Sequence, residues 1–234
     1  MAGRPAEPEV IWARPERAGR GPAPAYTRTD IAAAAVGIAD ADGLDAVSMR
    51  RVAGQLGCGT MSLYNYVPRK EDLYELMLDH VSAEYDLTGP SGDWRADMLD
   101  LGRQARGILR RHPWLIRVMS TGYAQGPNAL RFLEHGLACL ADLDLAGGAK
   151  MELLASVNGT VMTVVSSELA VSERSRGLPW PPEREQEVRA AYLGKALATG
   201  EYPHLAEVFA TADPPPDPDE MFERTLRRVI DSFA

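Results

Sequence analysis

"GLDAVSMRRVAGQLGCGTMSLYNYVPRKEDLYELM", residues 43 to 77, decides the fold. Ser48 is an N-cap candidate, and Val52, Ala53 and Leu56 follow it on one apolar helical face that Gly57 stops. After a turn of three or four residues, Met61, Leu63, Tyr64 and Val67 begin a second short helix. Helices joined this tightly cross steeply, and the crossing wants a small residue in the first helix and a glycine in the turn. Ala53 and Gly57 supply them. The second helix then carries Thr60, Ser62, Tyr64, Asn65 and Tyr66, a dense set of hydrogen-bonding side chains for so short an element. In a helix-turn-helix the second helix lies in the major groove, where base edges take donors and acceptors of modest reach, while phosphates accept from hydroxyls and lysines. Asn65 can grip an adenine by two hydrogen bonds, and Lys70 suits a phosphate. By themselves these residues also fit a small helical hairpin with a polar solvent face.

Upstream, Thr27-x-x-Asp30 reads as a capping box, and Ile31, Ala34, Ala35 and Ile38 recur on one face. Gly43 ends this first helix, about residues 28 to 41, as a residue able to take positive φ. The first 25 residues hold Pro5, Pro8, Pro15, Pro22 and Pro24 with Arg4, Arg14, Arg17 and Arg20, which predicts a flexible arm. Such an arm is either a solvated tail or one whose arginines reach a minor groove. Ile11 and Trp12 are out of place in a tail and are candidates to dock on the body.

Charge divides the chain. Its net charge is -8, yet residues 1 to 70 hold 9 Lys and Arg against 7 Asp and Glu, whereas the remainder holds 16 against 26. Only the first part is suited to lie near phosphates. With 45% hydrophobic residues over 234 positions the chain has enough apolar material for one large or two modest cores. No apolar run long enough for a membrane span stands out, and the N-terminus has no apolar segment of signal-peptide type. The expectation is a cytoplasmic protein without a membrane partner. Cys58 and Cys139 form no CxxC and no metal spacing, as expected of free core thiols in a reducing compartment.

From Thr27 to about Val81 the chain resembles the DNA-binding domain of tetracycline-repressor-type (TetR) regulators. The shared features are the glycine after the first helix, the Ser48 cap, the Ala-x-x-x-Gly turn, the "LYNYV" segment and the Lys70-Glu71-Asp72-Leu73 start of a long fourth helix. The resemblance implies phosphate contacts at Ser48, Tyr64 and Lys70, and groove-facing positions at Met49, Thr60, Met61, Ser62, Asn65 and Tyr66. The tetracycline repressors themselves have arginine at the Met49 position, and tryptophan and histidine at Asn65 and Tyr66. A thioether cannot make a bidentate guanine contact, so the operator should differ from theirs.

The rest reads as all-α, with helices expected at about 70 to 86, 94 to 111, 113 to 120, 127 to 142, 147 to 174, 183 to 199 and 217 to 233. Asp217-Pro218-Asp219-Glu220 opens the last one with a capping aspartate and proline at N1. "HPWL" at His112 to Leu115 should begin a helix with Pro113 at N1, His112 serving as a helix-end partner. Phe222, Leu226, Val229, Ile230 and Phe233 form one stripe, while Met151, Leu154, Val157, Val161, Met162, Val164, Val165 and Leu169 cover more than one face. A helix apolar on two faces needs two partners, one of them plausibly a second subunit. The resemblance agrees, since TetR-type regulators dimerise through a four-helix bundle of these two helices.

The expected organisation is therefore an arm (1–25), a helix-turn-helix domain (26–70) and an effector-binding and dimerisation domain (71–234). In this family the last would hold a small-molecule pocket, and Trp114, Met119, Tyr123, Phe132, His135, Asn158 and Met162 are its candidate lining. Alignment with the tetracycline repressors puts Met119 at their metal-binding histidine and Leu101 at a ligand-binding asparagine. Magnesium demands oxygen-rich coordination, so a magnesium-tetracycline effector is not expected; a mostly apolar or aromatic molecule is. His80, His112, His135 and His204 form no HExxH, and no GxSxG or phosphate-cradling glycine loop occurs. Neither catalytic residues, metal nor cofactor is expected. The reading is a dimeric repressor released from palindromic double-stranded DNA by an effector; the competing one is an all-α ligand-binding or protein-interaction module without specific DNA binding.

Overall fold

The structure, a computed structural model, describes residues 10–14, 26–119, 126–211 and 217–233. Among them are eleven α-helices and no strand: α1 Arg28–Asp42, α2 Met49–Gln55, α3 Thr60–Tyr64, α4 Lys70–Ser82, α5 Trp94–Arg111, α6 Leu115–Met119, α7 Pro127–Cys139, α8 Gly147–Gly177, α9 Pro182–Leu197, α10 Pro203–Thr211 and α11 Pro218–Asp231.

Side chains that satisfy the orphan amides of each first turn set most of the helix starts. The Thr27 amide donates to Asp30 Oδ2 (2.8 Å) and the Asp30 amide to Thr27 Oγ1 (3.1 Å), closing a capping box on α1. Hydrogen bonds from Thr27 hold the Asp30 carboxyl below its usual pKa. Gly43 ends α1 at φ 81°. Ser48 Oγ accepts the Arg51 amide at the start of α2, Asp72 reaches back to the Arg69 amide (3.0 Å) at the start of α4, and Asp217 accepts two amides at the start of α11.

Three expectations are corrected. Pro113 and Trp114 form a turn, and α6 begins at Leu115, because His112 caps α5 by donating its amide to Ile108 O. Helix α10 is not anticipated by the sequence reading; it carries Leu205, Val208 and Phe209 at helical spacing, but all three are exposed. Third, α8 is long and apolar enough to cross a membrane by length and composition. Its buried residues, Leu153, Leu154, Val157, Val161 and Val165, face the helices of its own subunit instead.

Helix α4 is central. One side of it packs on α1, and other positions meet α6 and α7. Helices α5, α8 and α11 pack mutually, closing over Met98, Leu101, Leu153, Val157, Phe222, Leu226 and Ile230. A single hydrophobic cluster runs from the helix-turn-helix to this bundle. It also includes Ile11, in the short 3-10 turn Ile11–Ala13, with no exposed surface at all. Arg28 Nη1 donates to Arg14 O at 3.1 Å. Residues 10–14 are thus docked, as Ile11 and Trp12 were candidates to be, and only this part of the expected arm is seen; Arg4, Arg17, Arg20 and the five prolines of that segment lie outside the described residues.

Candidate functional site

The helix-turn-helix is built on the buried Val52, Ala53, Leu63 and Val67. Gly57 takes φ 69°, a left-handed conformation that would strain any other L-residue, and the turn it makes lets the Cys58 amide reach Ala53 O (2.9 Å). The outer surface of α3 carries Met61, which is 77% exposed, with Ser62, Tyr64 and, at the C-cap, Asn65. Thr60 and Tyr66 are half-buried. Ser48 and Lys70 are exposed, the Lys70 ammonium 5.4 Å from the centroid of the Tyr74 ring. Met49 departs from its expected role: it is 7% exposed and belongs to the core cluster. Its thioether gains more from burial than from solvent, as an arginine at the same place would not. The neighbouring Arg50 is exposed and was passed over in reading the sequence.

A second site lies among α4, α5, α6 and α8. Leu78, Val81, Ser82, Tyr85, Ala105, Ile108, Leu109, Leu115, Met119, Asn158, Val161 and Met162 surround a cavity of about 50 Å³. The walls are apolar, with Ser82, Tyr85 and Asn158 as the polar exceptions; burial pushes the Tyr85 hydroxyl pKa up, so it stays protonated.

Of the seven expected lining residues, Met119, Asn158 and Met162 lie at this cavity. Phe132 stands behind it, its ring 4.6 Å from that of Tyr85. His135 faces Cys139 Sγ at 3.6 Å one turn along α7 and is not in the wall. Trp114 turns the other way, donating from Nε1 to Asp40 Oδ1 on α1 (2.7 Å). Tyr123 lies outside the described residues. Most of the residues that sequence reading missed are on α4 and α5, with Tyr85 just past α4, Leu115 on α6 and Val161 on α8; on all of these helices a cavity wall and a core face have the same periodicity.

Between the two sites runs a polar seam. His112 Nδ1 is 2.7 Å from Asp40 Oδ1, and Nε2 is 2.9 Å from Glu84 Oε1. Arg111 Nη2 donates to the other Glu84 oxygen (2.6 Å), and Arg117 on α6 pairs with Asp45 (2.9 Å). Burial pushes the Glu84 carboxyl up, but hydrogen bonds from Arg111 and His112 outweigh it and leave the pKa lowered. No group of three or more His, Cys, Asp or Glu side chains able to hold a metal ion occurs among the described residues.

A groove between α8 and α11 is lined by Ser156, Gly159, Thr160, Thr163, Val164, Thr225, Val229, Ser232 and Phe233. On α8 it lies to one side of the buried Val157, Val161 and Val165, and of its α8 lining only Val164 is a large apolar residue.

Residues 88–233 match the family described as "Tetracyclin repressor-like, C-terminal domain". The chain is 36% identical over 227 residues to the HTH-type transcriptional repressor DrrR1 of Streptomyces coeruleorubidus, covering 96% of this chain and 83% of that one. Identity is 35% over 204 residues, with 86% and 82% covered, to an HTH-type transcriptional regulator of Saccharopolyspora erythraea. Among solved structures it is similar to the Streptomyces coelicolor TetR family protein ActR in complex with actinorhodin (TM-score 0.74, 28% identity, 90% and 97% covered). It is also similar to ActR in complex with (S)-DNPA (TM-score 0.67, 26% identity, 90% and 98% covered).

Proposed function

The chain belongs to the TetR family of transcriptional regulators, and on that premise we propose that it is a cytoplasmic, homodimeric repressor, not an enzyme, that a small molecule releases from a palindromic operator. The observation that carries this reading is the surface of α3. A methionine 77% exposed beside Ser62, Tyr64 and Asn65, on a five-residue helix with only Leu63 buried, has no use in packing and suits a groove. Phosphate contacts are assigned to Ser48, Tyr64 and Lys70, with Arg50 added, and base or sugar contacts to Thr60, Met61, Ser62, Asn65 and Tyr66. With Met49 buried, nothing at that position reads a base.

Two copies joined along the α8–α11 groove would present two α3 helices to successive turns of the major groove, about 34 to 36 Å apart. The effector is assigned to the α4–α5–α6–α8 cavity. Its walls favour an apolar, aromatic ligand, and its size of about 50 Å³ requires that α4, α5 or α6 move to admit one. That movement supplies the differential affinity release needs, because the ligand then binds one helix arrangement better than the other. ActR, with its actinorhodin and (S)-DNPA complexes, supports a small-molecule effector.

Footprinting on the DNA upstream of the protein's own gene tests this. Protection of one palindrome is expected, falling steeply with salt and weakened about tenfold or more by Tyr64→Ala or Lys70→Ala. Equal affinity for random duplex would reject it.

A further inference from the structure

We propose that His112 is a proton-dependent latch between the DNA-binding helices and the effector-binding helices, so that operator affinity follows the protonation of this one ring. The inference rests on the function proposed above and adds a control to it.

The His112 side chain is 10% exposed and has a carboxylate oxygen at each ring nitrogen, Asp40 on α1 and Glu84 just beyond α4. A neutral imidazole has one N–H. It can donate to one of these oxygens, and its other nitrogen then turns a lone pair toward the second. Only the imidazolium donates to both. Histidine is the side chain that changes charge between pH 5 and 8.

The surrounding charges repeat the argument. From α1 comes Asp40, which also accepts the Trp114 Nε1–H; from the end of α4 comes Glu84; from α5 comes Arg111, on the second Glu84 oxygen. The next charges out, Arg117 and Asp45, pair with each other. Two carboxylates face one guanidinium, and a charged His112 balances the set.

The latch is also placed to feel the cavity. His112 follows directly on α5, whose Ile108 and Leu109 line the cavity, and precedes Leu115 and Met119 of α6, which line it from the other side. Glu84 adjoins Tyr85, another wall residue. A ligand that widens a 50 Å³ space shifts the backbone that carries the ring, away from an α1 carboxylate that moves with the helix-turn-helix. The closed latch therefore belongs to the ligand-free, DNA-bound arrangement, and either a ligand or the loss of a proton opens it.

The test is fluorescence anisotropy of the full-length dimer on a duplex carrying the footprinted palindrome, from pH 6 to 8 at constant ionic strength. Wild-type affinity should fall about fivefold more over this range than that of His112→Gln, the ratio set by one hydrogen bond, and Asp40→Asn should flatten the profile likewise. Should the variants fold poorly, the wild-type ring decides: long-range proton–nitrogen NMR without DNA should show a ring protonated on both nitrogens that loses one proton over the same range in which operator affinity falls. A His112→Gln slope equal to wild type, or a neutral ring throughout, overturns the latch while leaving specific DNA binding intact. Absence of specific binding at every pH overturns the functional reading, and the latch with it.

Discussion

Asp79 on α4 is 6% exposed, and its carboxylate accepts the amides of Asn128 (2.7 Å) and Ala129 (3.2 Å) and the Asn128 side-chain Nδ2 (3.0 Å). These backbone amides belong to the first turn of α7. Pro127 ahead of them has no N–H, and Gly126, at the N-cap, has no side chain to accept them. Nor could it have one, because a Cβ on Gly126 would overlap the Asp79 carboxylate. The cap is delivered from another helix. Asp79→Ala loses a cap of about 1 kcal/mol and a negative charge at a helix N-terminus of about 0.3–1 kcal/mol, and it strands buried donors at about 1–3 kcal/mol. The total is about 3 kcal/mol. For a chain of this length that lowers the melting temperature by about 6–12 °C. Asp79→Asn keeps one acceptor oxygen and should cost about 1 kcal/mol, or about 2–4 °C. Thermal unfolding followed by circular dichroism checks both, at one fixed protein concentration since dimer dissociation shifts the midpoint. A fall under about 2 °C for Asp79→Ala, or equal falls for both variants, would refute the cross-helix cap.

Glu168 on α8 accepts from Arg106 Nη2 (2.6 Å) and Arg110 Nε (2.9 Å); burial raises its pKa, but the two arginines outweigh that and hold it below the usual value. A folded-state pKa below the unfolded one means stability present above the unfolded value, about 4.3, and lost as pH falls through the folded value. Glu168→Gln should therefore be less stable than wild type at pH 7 by about 1–2 kcal/mol, between the exposed and buried limits for ion pairs. Denaturant titrations should show the gap closing between about pH 5 and 3; a constant gap would count against the pair. For the thiols, burial pushes Cys139 up to about 11, while Cys58 is half-buried in the turn before α3. Iodoacetamide at pH 8 should label Cys58 alone in the native protein and both in denaturant, as peptide mass analysis would show. Native labelling of Cys139 would contradict its burial.

Helix starts were legible because capping is local: Thr27, Ser48 and Asp217 each act within three residues of their own position. Trp94–Arg111 was readable end to end, with an Asp93 cap in front and an apolar stripe along it. What could not be read depends on contacts between distant segments. Leu78 and Val81 repeat like any core face of α4, Tyr85 follows just past its end, and only the stacking of α5, α6 and α8 leaves a space beside them. Trp114 and His135 are large and polar-tipped, as a ligand contact would be, but Asp40 and Cys139 already engage them. Met49 was assigned by position in a motif, and its side chain follows hydrophobicity instead. The α10 helix has a proline at its start and Leu205, Val208 and Phe209 at helical spacing, a pattern too short to stand out from the loops on either side.

Ile11 has a practical consequence for anyone trimming the chain. A truncation at residue 24 or 25 looks as if it removes a proline-rich tail, but it also removes a fully buried isoleucine, at a cost of about 2–5 kcal/mol. A shortened protein that no longer holds DNA would then be reporting a hole in the hydrophobic core rather than lost arginine contacts. The informative deletion ends before Val10 and leaves Ile11 in place, with Arg14, Arg17 and Arg20 exchanged for glutamine one at a time. Affinity tags belong ahead of that point or at the other end of the chain.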